Sequence, residues 1–282
     1  VSDPYSVLAR EIGSIRRDIG RRRQPPVWVG GELWDAMTGA QPGGGSTLAW
    51  LFTGRNLWIP DGEGAGNSFT GINIVRSDWR KTRRGAPYVH LDGATEALSV
   101  NNAAWQQAGT DSLTVWFWVN AQSVAASMVA SSKLAITTNQ RSWRLSFSVG
   151  TGFEFLTNSL GTAAGNYIVS SGVTPIIDNF YFLGGHWQAS TLQGVYTANA
   201  TDDDVAQITN TVGTPPASLF NSTAPLAIGT AFTIPPTFSA PWNGYISSGC
   251  AWYNGGGGGY PSASEVYDYM RSRWAMTRWL YQ

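Results

Sequence analysis

The residues of this sequence that could do chemistry are few and scattered. Retaining glycoside hydrolysis needs two carboxylates about 5 to 5.5 Å apart on one face. Glu154 is the only glutamate between residues 97 and 264, and no aspartate lies near it. Histidine is equally scarce: His90 and His186 are the only two, and each sits beside aromatic residues in an expected strand, which predicts structural roles. A single cysteine, Cys250, excludes an internal disulfide framework and a cysteine-based zinc site. No Gly-x-Ser-x-Gly elbow occurs, and neither Lys81 nor Lys133 follows a glycine as a phosphate loop requires. Gly62-Glu63-Gly64-Ala65-Gly66 follows Pro60-Asp61 rather than a clear strand, so it is not read as a dinucleotide loop.

Two binding candidates remain. Asp202-Asp203-Asp204 is the densest carboxylate run and could hold calcium, a hard cation that prefers oxygen ligands; the alternative is a solvated acidic loop. Tyr253 and Tyr260 flank the glycine run 255–259, and such rings at a loop rim can stack on a glycan or a partner protein.

The elements that must position these residues are β-strands. The 282 residues include 14 Trp, 11 Tyr, 11 Phe, 33 Gly and 14 Pro, with only 13% charged residues, a balance that favours strands and turns. Strands are expected at 113–119, 143–149, 179–184, 192–196, 226–229 and 245–253, separated by turn signals in the manner of a sandwich. Ser262 and Glu265 form a capping-box pattern for a C-terminal helix with Val266, Met270, Trp274 and Thr277 along one side. Residues 25–85 form a Gly- and Trp-rich connector or small β subdomain, with strand character at 48–52 and 71–75.

The N-terminus reads differently. Asp3-Pro4 is a helix start, with Asp as cap and Pro at the first helical position. Tyr5, Leu8, Ile12, Ile15 and Ile19 then recur at intervals of 3 and 4, the a and d positions of a coiled coil. Glu11 and Asp18 fall at g, and Arg16 and Arg23 at the following e positions, which is the ion-pair pattern of a parallel bundle. Isoleucine at both a and d shifts preference from dimers toward trimers or tetramers, and a trimer is expected. Gly13 and Gly20 each cost about 1 kcal/mol relative to Ala, so this short helix needs support from the globular domains behind it or from a larger assembly.

The net charge is zero, but residues 1–85 hold 12 Lys and Arg against 8 Asp and Glu, whereas residues 86–282 hold 6 against 10. So small an excess marks a protein-docking surface; nucleic acid is not expected. No run of 18 apolar residues and no signal-peptide pattern occurs, so neither membrane insertion nor classical secretion is expected.

Within the expected domain 86–282, about residues 86–275 resemble the concanavalin A-like, laminin G-type jelly rolls. The resemblance lies in Tyr88-Val89-His90-Leu91-Asp92-Gly93 with Ala97-Leu98-Ser99-Val100 as an opening strand pair, Leu113 to Val119, Trp242-Asn243-Gly244-Tyr245-Ile246 and Pro261 to Val266. It implies an all-β antiparallel sandwich flanked by the N-terminal and C-terminal helices. The Glu-x-Asp-x-(x)-Glu strand of the family's glycoside hydrolases is missing, which disfavours an enzyme. The start Asp-Pro-Tyr-Ser-Val-Leu-Ala-Arg resembles bacteriophage minor tail proteins. That implies a virion structural protein, assembled in the host cytoplasm and exposed on the particle. It would trimerise through residues 1–24, dock on other virion proteins and display its jelly rolls to the host surface. A capsid decoration or head fibre protein, and a carbohydrate-binding adhesin or lectin, are the alternatives.

Overall fold

A computed structural model describes residues 46–52, 57–58, 69–102, 106–209, 213–254 and 261–282. The heptad helix, the glycine run 255–259 and Tyr260 lie outside the described residues. In chain order the strands are β1 (Ser46–Phe52), β2 (Leu57–Trp58), β3 (Thr70–Ile72), β4 (Trp79–Lys81), β5 (Pro87–Asp92) and β6 (Ala97–Val100). There follow β7 (Ser112–Ala121), β8 (Met128–Ala135), β9 (Gln140–Ser148), β10 (Gly152–Asn158), β11 (Asn166–Ser170) and β12 (Phe180–Gln188). The last six are β13 (Leu192–Asn199), β14 (Ala206–Thr209), β15 (Leu226–Ile228), β16 (Ala231–Ile234), β17 (Thr237–Ser239) and β18 (Asn243–Asn254), and helix α1 (Ala263–Thr277) closes the chain.

These strands form two sheets. The first runs β14-β13-β12-β7-β18-β1-β2, with β5 also paired to β18 and β4 to β5. The second runs β11-β10-β9-β8-β15-β6-β3, with the β16–β17 hairpin attached at β8. Pairing is antiparallel throughout except for a single parallel contact between β16 and β8. Alternation along each strand builds the core between the sheets. Leu113, Val115, Phe117 and Val119 of β7 point inward against Trp143, Leu145 and Phe147 of β9 and Phe153 and Phe155 of β10, in one continuous buried cluster.

The topology departs from the expected strand pairing at the Asp92 turn. The strands flanking the Asp92 turn do not pair with each other: β5 joins the first sheet and β6 the second, so this turn carries the chain across the sandwich. Strands from the Gly- and Trp-rich segment enter both sheets, β1 and β4 in the first and β3 in the second.

The outer face of the first sheet is also apolar, which a half-solvated sheet would not tolerate. Trp116, Trp118, Phe182 and Tyr196 project from it and are buried by Val266, Met270 and Trp274 of α1. The helix starts where its capping box places it. Ser262 Oγ accepts from the Glu265 amide, and the Glu265 carboxylate accepts from the Ser262 amide. Hydrogen bonds then fix the docking: Trp118 Nε1 donates to Thr277 Oγ1 at 2.9 Å and Trp274 Nε1 to the Asn199 carbonyl at 3.1 Å.

Candidate functional site

Helix α1 covers only part of this face. Beside it, strand register lines up His90 of β5, Tyr245 of β18, Asn120 of β7 and Phe180 of β12 as successive cross-strand neighbours. Tyr88 occupies the same face two residues before His90, because Val89 and Leu91 between and after them turn into the core. The result is a half-buried aromatic platform. The Tyr88 and Tyr245 rings meet edge to face at 4.9 Å, Tyr88 lies 5.7 Å from Phe180, and His90 lies 5.2 Å from Tyr245. Tyr281, just beyond α1, ties the platform to the covered half by stacking on Trp118 at 4.5 Å while lying 5.1 Å from Phe180.

Polar groups edge the platform. Gln122 accepts from His90 Nε2 through Oε1 at 2.9 Å and donates through Nε2 to the Tyr245 hydroxyl at 3.0 Å. The phenol proton of Tyr245 is therefore directed elsewhere, available to an incoming acceptor. The exposed Arg80 guanidinium stands 6.0 Å from the Tyr245 ring centroid. Burial, followed by the neighbouring Tyr245, raises the Tyr88 hydroxyl above the ordinary phenol range, with Arg80 opposing. Asn120 is 2% exposed and its Oδ1 has no hydrogen-bond partner, an unsatisfied acceptor within the aromatic row. At one rim, the Asp178 amide bonds the Ala121 carbonyl at 3.0 Å, holding a loop on which Ile176 and Ile177 are exposed.

The strands meet here at close quarters. Gly244 has φ +140°, and a Cβ on it would lie 2.1 Å from the Asn120 carbonyl oxygen. That carbonyl also accepts from Trp242 Nε1 at 3.1 Å, and Trp242 is completely buried beneath.

At the β4 edge lies the one group of three ligand-type side chains among the described residues. One such atom each from Asp78, His90 and Glu96 falls within 4.8 Å of the others. Burial and then the negative charge of Asp78 raise the Glu96 carboxyl, with the hydrogen bond from the Asp92 amide opposing them. Asp92 itself caps the turn. Partial burial disfavours its charge, but amides of Ala94, Thr95 and Glu96 and the Thr95 hydroxyl hold its carboxyl below the ordinary range.

The residues that the sequence singles out sit elsewhere. Asp202, Asp203 and Asp204 are exposed between β13 and β14. Asp202 Oδ2 accepts from the Asn199 amide at 2.6 Å, and Asp204 Oδ1 pairs with Arg271 of α1 at 2.9 Å, so the run serves the turn and the helix rather than gathering as a ligand set. Tyr253 lies near the end of β18, opposite Leu113 and Ser46. Glu154 is saturated by Ser148, Thr151 and Ser170 hydroxyls and stands 3.5 Å from Arg144. His186 is fully buried with Nδ1 against Thr114 Oγ1 at 2.8 Å, and burial pushes it down to about 3. His90 is the histidine that reaches the surface. Alternation in Tyr88-Val89-His90-Leu91 and around Tyr245-Ile246 signals which face these rings take, but only the β5–β18 register brings them together.

The fold is shared with solved structures. Domain 4 of AbnA, a GH43 extracellular arabinanase from Geobacillus stearothermophilus solved in complex with arabinotriose, aligns with a TM-score of 0.52 and 12% identity over 81% of this chain and 100% of that domain. The botulinum neurotoxin serotype C1 binding domain aligns with a TM-score of 0.53 and 10% identity over the same share of this chain. The binding domain of Paraclostridial Mosquitocidal Protein 1 aligns with a TM-score of 0.53 and 12% identity. This chain spans about half of each toxin binding domain, 52% in both cases. No family model and no curated protein matches the sequence.

Proposed function

We propose that this protein is a non-enzymatic carbohydrate-binding module of adhesin type, built on a concanavalin A-like, laminin G-type jelly roll. The observation that carries the reading is the half-buried row of Tyr88, Tyr245 and Phe180 on the part of the sheet that α1 leaves uncovered. The carbon face of a sugar packs on such rings, while its hydroxyls take up the Tyr245 proton, the Gln122 amide and the Arg80 guanidinium at the edge. The arabinotriose held by a domain of the same fold supports an oligosaccharide as ligand class.

The test is retention of the intact chain on immobilised cell-wall polysaccharides and arabino-oligosaccharides, followed by calorimetry. Tyr245→Ala is expected to weaken binding at least about tenfold with folding intact. Absence of glycan binding, or wild-type affinity in Tyr245→Ala, overturns the proposal. Product release from any of these polysaccharides, lost in Glu154→Gln, would overturn its non-enzymatic part.

Where such a module works is a second reading, favoured by the isoleucine seam at Ile12, Ile15 and Ile19. A parallel trimer anchored through residues 1–24 in a bacteriophage virion, as a tail or head fibre component, would present several platforms to a host surface and gain avidity.

A further inference from the structure

We propose that Asp78, His90 and Glu96 form a binding site for a first-row divalent transition-metal ion, with zinc as the best match. The site borders the sugar platform, sharing His90 with its edge, but metal uptake does not depend on sugar binding. Antiparallel register sets it up. Trp79 of β4 pairs with Val89 of β5, so Asp78, the last residue of the short 3-10 turn Arg76–Asp78, continues that register opposite His90. The Asp92 turn then folds Glu96 back onto the same edge, where its Oε2 accepts the Asp92 amide at 2.8 Å.

Each of the three side chains is anchored at one atom. Asp78 Oδ2 accepts the Val75 amide at 2.6 Å, Glu96 Oε2 is held as described, and His90 Nε2 is held by Gln122 Oε1. Because that amide oxygen has no proton to give, Nε2 carries the ring proton and Nδ1 carries the lone pair. A second partner that fixes tautomer and ring orientation is the usual arrangement behind a metal-binding imidazole. The outcome is one imidazole and two carboxylates that each bring a ligand-type atom to within 4.8 Å of the others. The two carboxylates repel each other, and a cation between them would relieve that repulsion while taking up the imidazole nitrogen. An imidazole nitrogen with two carboxylate oxygens suits zinc or manganese better than calcium, and three protein ligands leave positions open to water.

The composition makes the test clean. His90 and His186 are the only histidines, and His186 is enclosed, so His90 is the single accessible imidazole of the chain. The intact protein, stripped with a chelator, is titrated with zinc chloride and separately with calcium chloride in a calorimeter. One equivalent of zinc is expected to bind, more tightly than calcium, and at least about tenfold more weakly in His90→Gln and in Glu96→Gln. Glu96→Gln retains the acceptor for the Asp92 amide, so its fold is kept, which near-UV circular dichroism verifies. No zinc uptake by the wild type, unchanged affinity in both variants, or tighter binding of calcium overturns the proposal.

Discussion

Gly244 shows how much of the candidate site depends on single backbone positions. Its positive φ and its approach to the Asn120 carbonyl leave no room for a Cβ, and the same carbonyl anchors Trp242. Gly244→Ala is therefore expected to lower stability by about 3 kcal/mol, measured as a shift of the urea midpoint. Lys133 supplies a different residue-scale test. It is fully buried, donating to Asn102 Oδ1 at 2.7 Å, Gln106 Oε1 at 3.0 Å and the Ala224 carbonyl at 2.9 Å, and burial pushes it down to about 7 from 10.5. Below pH 7 the ammonium is charged in both folded and unfolded chains, and the full burial penalty applies. Between about pH 7 and pH 10.5 the unfolded chain binds more protons, so stability rises with pH across that window. Urea midpoints at pH 7, 8.5 and 10 should increase in the wild type relative to Lys133→Met; a parallel pair of curves would refute the assignment.

At the scale of elements, α1 decides how much of the outer face is open. Trp274 is 3% exposed, packs among the aromatic residues of β7, β12 and β13, and bonds the Asn199 carbonyl. Trp274→Ala is expected to cost about 3 to 5 kcal/mol in chemical denaturation. Ser262→Ala removes a cap and should cost only about 1 kcal/mol. If the helix were a loose appendage, the two variants would unfold at nearly the wild-type midpoint. The helix and its cap were legible in the sequence because capping and 3.6-residue periodicity are local. The strands of the sandwich were legible for a similar reason: β7, β9, β12, β13 and β18 fall on the expected segments with ends shifted by a few residues. What locality could not provide was partnership. The pair of strands around Asp92 separates into two sheets, and β18 divides one edge between β5 along its first half and β1 along its second.

For the whole molecule, the described residues form one sandwich, and the heptad at residues 5–19 predicts that copies associate through it. Multi-angle light scattering of the intact chain is expected to give a trimer mass, and deletion of residues 1–24 a monomer mass. A monomer in both cases removes the free trimer, leaving only a trimer that forms within a particle, and leaves the glycan and metal tests untouched. By itself the sequence determined the all-β class, the C-terminal helix with its buried face and the scarcity of catalytic groups, because alternation, capping and composition are properties of short segments. Only the tertiary structure decided which residues share a surface. Tyr88 and Tyr245 are far apart along the chain, and Asp78, His90 and Glu96 come from a turn, a strand and a loop; strand register, set by the burial of Val89, Leu91 and Ile246 in the common core, is what brings each set together.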